Sequence, residues 1–486
     1  MACGKDEPDP SITASVQSIT LPPAGGEQTF TVTIANANEW TLTPSPQSWL
    51  SVSTQGGNQV KVKSDANLDV ARSAVVTCTV QGTDIAVSIP VTQSAISVTA
   101  SAQNITLPSM GGAQTFTITC NADDWIVVSP QSWLSVSRQG GNQVTVQSEV
   151  NFDNARSTAV KCQLNGKDIL SVQVSQNAVT KLQSDSLALA DLYHTAGGSG
   201  WTTKWTLTSG NIAQWKGVTV TDERVSGLEL PSNNLVGNIL ASFGRLTNLA
   251  HCNLSGNKLS GSIPTEISNL TKLEYLDLSG NNLSGIIPAL NIAKLVVLDL
   301  SGNEFTDMAA QTLSDLEYLA LRQNKLQGSL PSSWANYKKL IYIDVSANAY
   351  TGSIPNWTAL IRLRALHLYD NKLSGGLPTL LATLNYLESI ALHKNDFTGN
   401  IPSNLGDLPL LESLWLSQNR LTGEIPQSLL QNPHWDEWKG NVAPQQSDYG
   451  FSNYVETRAV QANTPSELSD YGKQLKKTIR QRLGNK

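Results

Sequence analysis

The sequence predicts a multidomain protein in which two all-β sandwiches precede a right-handed solenoid with parallel strands on its concave face. Three observations predict this class. A segment of about 84 residues occurs twice near the N-terminus, and nine asparagines then recur about every 23 residues. Apolar residues make up 40% of the 486-residue chain, which is enough to bury several cores. At about 150 residues per domain, this length also suggests three units.

Composition excludes several classes of function. The chain has 33 Lys and Arg residues against 39 Asp and Glu residues, for a net charge of −6, whereas nucleic-acid binders usually need a basic face. No apolar run reaches the roughly 18 residues of a transmembrane helix. The five cysteines form neither a disulfide framework nor a zinc pattern. We therefore expect a monomer with no cofactor, no metal and no nucleic-acid partner.

The first ten residues place a single cysteine, Cys3, before a polar stretch that contains Lys5, Asp6 and Glu7. This start resembles that of a mature bacterial lipoprotein, and the charged run resembles the export signals of Bacteroidetes surface lipoproteins. The resemblance implies a lipid anchor on Cys3, an outer-membrane location on the cell surface and a signal peptide absent from this sequence. The alternative is a disordered tail in which the cysteine is incidental.

Residues 11–95 and 96–178 are two copies of one unit. Residues 46–53 match residues 130–137, and residues 55–60 match residues 139–144. Apolar Phe30, Val32 and Ile34 alternate with threonines, which is the period of a half-buried strand, and Gly-Gly pairs supply turns. Several short strands at this spacing predict an immunoglobulin-like sandwich for each copy.

The Pro-x-Ser-Trp-Leu-Ser-Val-Ser segment, the Gly-Gly turn and the closing Val-Thr-Gln-Ser of residues 91–94 resemble the BACON family, whose name asserts carbohydrate binding. Four tryptophans could serve that role, although a strand tryptophan beside leucine favours a core position. They are Trp40, Trp49, Trp125 and Trp133. If they are core residues, the two copies act as a spacer. We expect Cys78, Cys120 and Cys162 to be free thiols, with a Cys120–Cys162 bridge as the alternative.

Residues 225–432 repeat the pattern LxxLxLxxNxLxGxIP. The asparagines of the nine repeats are Asn233, Asn257, Asn281, Asn303, Asn324, Asn348, Asn371, Asn395 and Asn419. This pattern resembles the plant-receptor class of leucine-rich repeats, in which each asparagine bonds the backbone of a neighbouring turn. The repeat after Asn303 lacks the Gly-x-Ile-Pro element, so we expect a local break in curvature there.

The flanking segments are predicted caps. Residues 179–224 contain a helical pattern and resemble an N-terminal cap with Trp201, Trp205 and Trp215 in its core. Residues 433–486 are predicted to form the C-terminal cap, with Trp435 and Trp438 closing the last repeat. Thr464 to Glu467 form a capping box before a basic helix that ends near Leu483. We expect that helix to be solvated; contact with a partner or with lipid is the alternative.

The repeat register places two patches on the concave face, since residues in one column lie about 4.8 Å apart. The acidic patch contains Tyr275, Asp277 and Asp299, with Glu229 further along. The aromatic patch is mixed in charge, and its residue types are those of interaction hot spots. Its members are Tyr318, Arg322, Tyr342, Asp344, His367, Tyr369, His393 and Trp415.

These patches predict a non-enzymatic cell-surface binding or adhesion protein that recognises a protein or peptide on the concave face. The alternative is a glycan-binding accessory lipoprotein of a polysaccharide uptake system. The expected separation of Asp277 and Asp299, about 5 Å, would also fit the carboxyl pair of a retaining glycosidase. Calcium binding by the same two residues is a further alternative. A shallow sheet face gives little water exclusion, however, and no liganding loop is evident. We therefore predict no catalytic residues.

Overall fold

A computed structural model of the chain describes residues 8–43, 46–207, 211–454 and 466–484. The chain divides into two compact units, Met1–Val179 and Thr180–Lys486. No helix among the described residues combines the length and apolar character that crossing a membrane requires. Cys3, Lys5, Asp6 and Glu7 lie outside the described residues, so the lipid anchor stays a prediction.

The described residues of the first β repeat form eight strands. They are β1 Ser11–Ala14, β2 Ile19–Leu21, β3 Gly26–Ala35, β4 Trp40–Thr43, β5 Leu50–Thr54, β6 Gln59–Ser64, β7 Arg72–Val80 and β8 Ala86–Gln93. They make two four-stranded sheets, in the orders β1-β3-β6-β5 and β2-β8-β7-β4. Phe30 and Val32 of one sheet and Ile89 and Val91 of the other belong to one buried apolar cluster, so the sheets share a core.

The second β repeat has the same topology. Its strands are β9 Val98–Ala100, β10 Asn104–Leu107, β11 Gly112–Cys120, β12 Ile126–Val128, β13 Leu134–Gln139, β14 Gln143–Ser148, β15 Arg156–Leu164 and β16 Lys167–Gln176. The sheet orders are β9-β11-β14-β13 and β10-β16-β15-β12. The duplication read from the sequence therefore extends to strand order. Cys78, Cys120 and Cys162 are free thiols, as expected, and burial raises the pKa of Cys78 and of Cys162 to about 11.

A buried glutamine organises the end of each β repeat. Gln93 donates to the carbonyl oxygens of Pro22 (2.8 Å) and Asp65 (3.0 Å) and accepts from Nε of Arg72 (2.8 Å). The Arg72 guanidinium lies 4.5 Å from the centre of the Trp49 ring. Gln176, Arg156 and Trp133 repeat this arrangement in the second copy. The closing glutamine of the repeated motif thus satisfies buried backbone groups that would otherwise lack partners.

The solenoid begins with helix α1, Lys181–Thr195, which Thr180 and Gln183 cap through a capping box. Asp185 is fully buried and pairs with Nε of Arg224 at 2.8 Å. The predicted cap tryptophans Trp201, Trp205 and Trp215 are all buried and pack in series, with ring centres 4.9 Å and 4.8 Å apart. The N-terminal cap is therefore built around the residues that the sequence indicated.

In the described part of the solenoid, nineteen strands follow. They are β17 Val218–Thr221, β18 Arg224–Glu229, β19 Val236–Asn238, β20 His251–Asn253, β21 Lys258–Gly261, β22 Tyr275–Asp277, β23 Asn282–Ile287, β24 Val297–Asp299, β25 Glu304–Met308, β26 Tyr318–Ala320, β27 Gln327–Ser329, β28 Tyr342–Asp344, β29 Ala349–Gly352, β30 Ala365–His367, β31 Lys372–Gly376, β32 Ser389–Ala391, β33 Asp396–Gly399, β34 Ser413–Trp415 and β35 Arg420–Leu421. The concave sheet has the order β17-β18-β20-β22-β24-β26-β28-β30-β32-β34 and is parallel from β18 onward. The remaining strands form two shorter sheets, β19-β21-β23-β25 and β27-β29-β31-β33-β35.

The interruption between these two shorter sheets falls at the repeat that the sequence marked as irregular. That repeat follows Asn303 and contributes β25, where the first of the two sheets ends. The strand pairing is therefore interrupted at the repeat where the sequence predicts a break in curvature, and the change of curvature itself stays a prediction.

The repeat asparagines form the predicted ladder. Asn281 donates from Nδ2 to the carbonyl oxygens of Leu254 (3.0 Å) and Leu278 (2.9 Å), and its Oδ1 accepts from the N–H of Leu259 (3.0 Å). The asparagines of the other repeats use the same three partner positions, except the first. Asn233 instead binds the backbone of Thr203 in the cap.

Short 3₁₀ turns lie in the N-terminal cap and between many of the repeats. They span Gly198–Gly200, Ile212–Gln214, Ala241–Arg245, Thr265–Asn269, Ser332–Asn336, Thr379–Thr383 and Leu405–Asp407. At the C-terminal end, α2 (Gln427–Leu430) and α3 (Trp435–Val442) close the last repeat, and Trp438 is buried there. The solenoid core runs on to Phe451, with Tyr454 packed against it.

The last described segment corrects the sequence interpretation. Helix α4 spans Ser466–Gly484, but it does not cap the solenoid and its inner side is not solvated. Leu468, Leu475 and Ile479 pack on side chains of the concave strands. Thr464 and Pro465, and the side chains of Ser466 and Glu467, lie outside the described residues, so the capping box stays a prediction.

Candidate binding surface on the concave face

The predicted site residues lie on the concave strands or within two residues of their ends. Two rows cross the strands in register. The tyrosine row contains Tyr275, Val297, Tyr318, Tyr342 and Ala365. The aspartate row contains Asp277, Asp299, Ala320, Asp344 and His367. Trp415 is on β34, and Arg322, Tyr369 and His393 each follow a strand by two residues. The structure therefore brings the predicted residues together on one face.

Stacked rings are the main feature of this face. The rings of Tyr318 and Tyr342 lie 4.4 Å apart at an interplanar angle of 5°, and those of Tyr369 and His393 lie 4.6 Å apart at 9°. Parallel strands are about 4.8 Å apart, so rings at one position of neighbouring repeats stack without distorting the backbone. The repeat spacing thus builds short stacks of rings from single side chains of neighbouring repeats.

The aspartates are held by their own strands. Asp277 accepts from the Ser279 hydroxyl (2.6 Å), the Ser279 N–H (3.0 Å) and the Tyr275 hydroxyl (3.3 Å). Asp344 repeats this with Ser346 and Tyr342. These bonds reach both oxygens of each carboxylate, Oδ1 from the serine and Oδ2 from the tyrosine, and fix it in place. Among the described residues, no group of three or more His, Cys, Asp or Glu side chains could hold a metal ion.

The face is covered rather than open. Ten of the eleven predicted residues are buried, and only Arg322 keeps intermediate exposure. Helix α4 provides much of this cover, and it crosses the strands from the C-terminal repeats toward the N-terminal ones. Leu468 packs with Tyr369, Ala391 and Trp415. Leu475 and Ile479 pack with the tyrosine row.

Glycine fits one critical position of this contact. A β-carbon added at Gly472 would lie 2.3 Å from the hydroxyl oxygen of Tyr342 and 2.7 Å from its ring carbon Cζ. Any other residue would therefore have to displace the Tyr342 ring or lift the helix. The shape of α4 at Gly472 therefore matches the Tyr342 ring, and its apolar side chains match the apolar rings of the tyrosine row.

The charges of the helix match those of the face. Lys476 bridges Asp277, at 2.8 Å, and Asp299. Arg480 pairs with Glu229 at 2.7 Å, and Arg482 pairs with Glu317 at 2.5 Å. The Tyr471 hydroxyl donates to Glu388 at 2.5 Å. The acidic patch read from the sequence therefore has its counter-charges within the same chain.

Burial and the shared lysine set the ionisation of the acidic patch. Burial, and then the charge of Asp277, raise the pKa of Asp299, and Lys476 partly offsets this. Burial lowers the pKa of Lys476, but the charges of Asp299 and Asp277 raise that pKa by more than burial lowers it. The lysine therefore stays protonated. A cation at this position therefore allows two neighbouring carboxylates to stay buried together.

The two histidines of the patch are held neutral. Burial lowers the pKa of His367 and of His393 to about 4. Nε2 of His367 lies 2.9 Å from the Ser389 hydroxyl, and the His393 ring lies between Tyr369 and Trp415. At neutral pH both rings therefore act as packing groups and not as charges.

Several contact residues were missed from sequence alone. They are Glu317 and Glu388 on the face and Leu468, Tyr471, Gly472, Leu475 and Ile479 on the helix. The signal was present, because the apolar residues of 466–484 recur at helical spacing and Lys476 and Arg480 follow the same side. Matching that basic stripe to the acidic column would have indicated the contact.

The tryptophans of the β repeats divide into two groups. Trp125 is buried, as the core interpretation predicts, and Arg138 lies 3.8 Å from its ring centre. Trp40, Trp49 and Trp133 are half-buried. Because an arginine lies over one face of Trp49 and of Trp133, that face is not free for stacking on a sugar.

Comparisons with known proteins identify the class of the repeats. Residues 223–283 match one leucine-rich repeat family model, and residues 362–384 and 410–432 match another. The chain therefore contains leucine-rich repeats. Receptor-like protein 39 of Arabidopsis thaliana is 36% identical over 81 residues, which is 16% of this chain and 9% of that protein. The chain thus spans only a small part of this curated relative.

Solved structures with a similar region include two Arabidopsis thaliana receptor-kinase ectodomains. The GASSHO1/SCHENGEN3 ectodomain, in complex with CASPARIAN STRIP INTEGRITY FACTOR 2, is 29% identical with a TM-score of 0.44, covering 54% of this chain and 35% of its own. The HAESA ectodomain, in complex with a peptide hormone, is 26% identical with a TM-score of 0.40, covering 51% and 47%.

Proposed function

We propose that this chain is a non-enzymatic binding protein that recognises a protein or peptide segment on the concave face of its leucine-rich repeats. In this proposal the β repeats are a spacer, and lipid on Cys3 anchors the protein at the surface of a bacterial outer membrane. The location rests on the N-terminal residues alone. The binding function rests on the concave face.

The observation that supports binding is the complementarity between that face and a peptide segment. The face accommodates a 19-residue helix, α4, through apolar contacts, ion pairs and a close approach at Gly472. Stacked aromatic rings and fixed carboxylates form a surface of the kind used for protein recognition. The carboxylates are hydrogen-bonded and paired with Lys476, so they are poorly placed for acid–base chemistry.

The test is capture from extracts by the immobilised full chain. Two baits are used, the native chain and a chain with Leu475→Glu and Ile479→Glu, in which α4 is expected to leave the face. Each bait is also made with Tyr369→Ala and Trp415→Ala. The matched control carries Tyr386→Ala, whose side chain is 58% exposed outside the concave strands.

We expect capture of a ligand that protease treatment of the extract destroys. Capture should fail with the Tyr369 and Trp415 substitutions and persist with the Tyr386 control. Capture that periodate but not protease abolishes would replace this proposal with glycan binding. Capture that the concave substitutions leave unchanged would move the binding surface elsewhere.

A further inference from the structure

Helix α4 lies outside the hydrophobic core of the solenoid. That core is one cluster of buried residues that runs from Ala188 to Phe451 and contains no residue of α4. The buried apolar residues of the helix, Leu468, Leu475 and Ile479, belong to two separate clusters on the outer side of the concave strands. The helix can therefore leave without opening the core that stabilises the repeats.

The contacts that hold the helix are of mixed strength. The side chains of Arg480 and Arg482 are 42% and 51% exposed, so their ion pairs are screened by water and salt. The contact of Lys476 with its two aspartates is much more buried. Apolar contact and one half-buried lysine thus provide most of the attachment.

The helix also depends on the face for its own stability. Glycine in a helix interior is less favourable than alanine, and isolated helices of this length are marginal in water. Gly472 nevertheless occupies the middle of α4, where the Tyr342 ring leaves no space for a β-carbon. The glycine in α4 is therefore explained by contact with this surface, because it would weaken a helix that had to be stable alone.

The fit specifies the chemistry of a competing ligand. The face takes apolar side chains at 468, 475 and 479, no side chain at 472, and cations at 476 and 480. A segment of another protein with this pattern would be a basic amphipathic helix with a glycine near its centre. Such a helix lying in a groove is a recurring mode of recognition.

The tether gives α4 an advantage over any such segment. Residues 455–465 join Tyr454 to the helix, so α4 and its face are parts of one chain. A tethered ligand competes at an effective concentration that a free ligand must exceed. Ligands of low affinity are thereby excluded.

We propose that α4 is a displaceable internal ligand of the concave face, which keeps the face closed until a basic amphipathic helix of another protein replaces it. This inference rests on the proposed function, because it assigns the partner class and the regulation of the same surface. Helix and partner exclude one another, since they use the same tyrosine and aspartate rows.

The experiment measures binding of a fluorescent peptide with the sequence of residues 466–484 to the full chain, by anisotropy. Three chains are compared. They are the native chain, the Leu475→Glu/Ile479→Glu variant, and a control with Lys477→Glu and Gln481→Glu, which alters only the exposed side of α4. A thermal unfolding transition checks that the repeats of each chain are folded. A fourth chain with only Gly472→Leu provides a second way to release the helix.

The Leu475→Glu/Ile479→Glu chain and the Gly472→Leu chain are called the released chains. We expect both to bind the peptide at least 10-fold more tightly than the native and control chains. A peptide with Gly472→Leu should not bind, and added salt should weaken binding. Equal binding by the native and released chains would overturn the inference, because the face would not be occupied by α4. Folded released chains that fail to bind the peptide would also overturn it, since α4 would then not be replaceable.

The two proposals fail in different ways. If the peptide binds the released chains but no extract yields a protease-sensitive ligand, the internal ligand stands and the proposed function fails. If an extract protein binds the native and released chains equally through Tyr369 and Trp415, the proposed function stands and the internal ligand fails.

Discussion

The two sides of each concave strand follow different rules. The central residue of each strand points inward, and Leu276, Leu298, Leu319, Ile343 and Leu366 are all fully buried in the solenoid core. The flanking residues point outward and vary from Tyr to Asp, Ala and His. The inward side is covered by neighbouring repeats, whereas α4 covers much of the outward side. The residue types on the inward side therefore follow from the repeat alone. Those on the outward side follow from contact with α4, a segment that is not repeated.

The largest effect is expected on the inward side. Leu319→Ala removes a fully buried side chain from a core that cannot collapse freely, so it should lower the free energy of unfolding by about 2–5 kcal/mol. Urea denaturation of the full chain measures this. Ile361→Ala, at a side chain that is 62% exposed, is the matched control and should change stability by less than about 0.5 kcal/mol. A similar loss for both variants would contradict the division between core and surface.

Acidification should destabilise the outward side through its histidines. The pKa of His367 falls from 6.5 to about 4 on folding, so the unfolded chain binds a proton that the folded chain does not. Stability is therefore lost as pH falls from about 6.5 toward 4, by roughly 3 kcal/mol for this group. Unfolding curves between pH 7 and pH 4 for the native chain and for His367→Gln measure the difference. Parallel pH dependence of the two chains would show that His367 does not contribute.

Removal of the shared lysine should weaken the docked helix. Lys476→Met leaves Asp277 and Asp299 buried together without a cation, and docking should lose about 1–3 kcal/mol. Hydrogen exchange of the α4 amides measures this and should accelerate while the concave-strand amides stay protected. Addition of Asp299→Asn should restore part of the protection, because one buried charge is removed. Faster exchange throughout the solenoid would mean that the helix belongs to its cooperative core.

The smallest effect is expected at the edge of the helix. Arg482→Ala removes an ion pair whose arginine is 51% exposed, so docking should change by less than about 1 kcal/mol. The same hydrogen-exchange measurement applies, at low and at moderate salt. A change as large as that of Lys476→Met would show that the end of the helix, and not its buried centre, controls attachment.

Sequence analysis succeeded where structure follows a period. The nine asparagines, the leucines between them and the irregular repeat after Asn303 each repeat at known spacing, so their contacts follow from register. The columns of the concave face were predicted for the same reason. The position of α4 was not predicted, because no period links Lys476 to Asp277, which lies 199 residues away along the chain. Such distant residues are linked only by complementary charge and shape. The acidic column and the basic side of α4 must both be identified before their contact can be predicted.

The attachment of α4 has a consequence for the order in which the protein is made. Ribosomes build chains from the N-terminus, so all of the strands that form the concave sheet, β17 to β34, are synthesised before the helix that covers them. The newly made repeats therefore present an uncovered aromatic and acidic surface for a time. During that interval the face is available to any matching segment in its surroundings, before its own helix exists to compete.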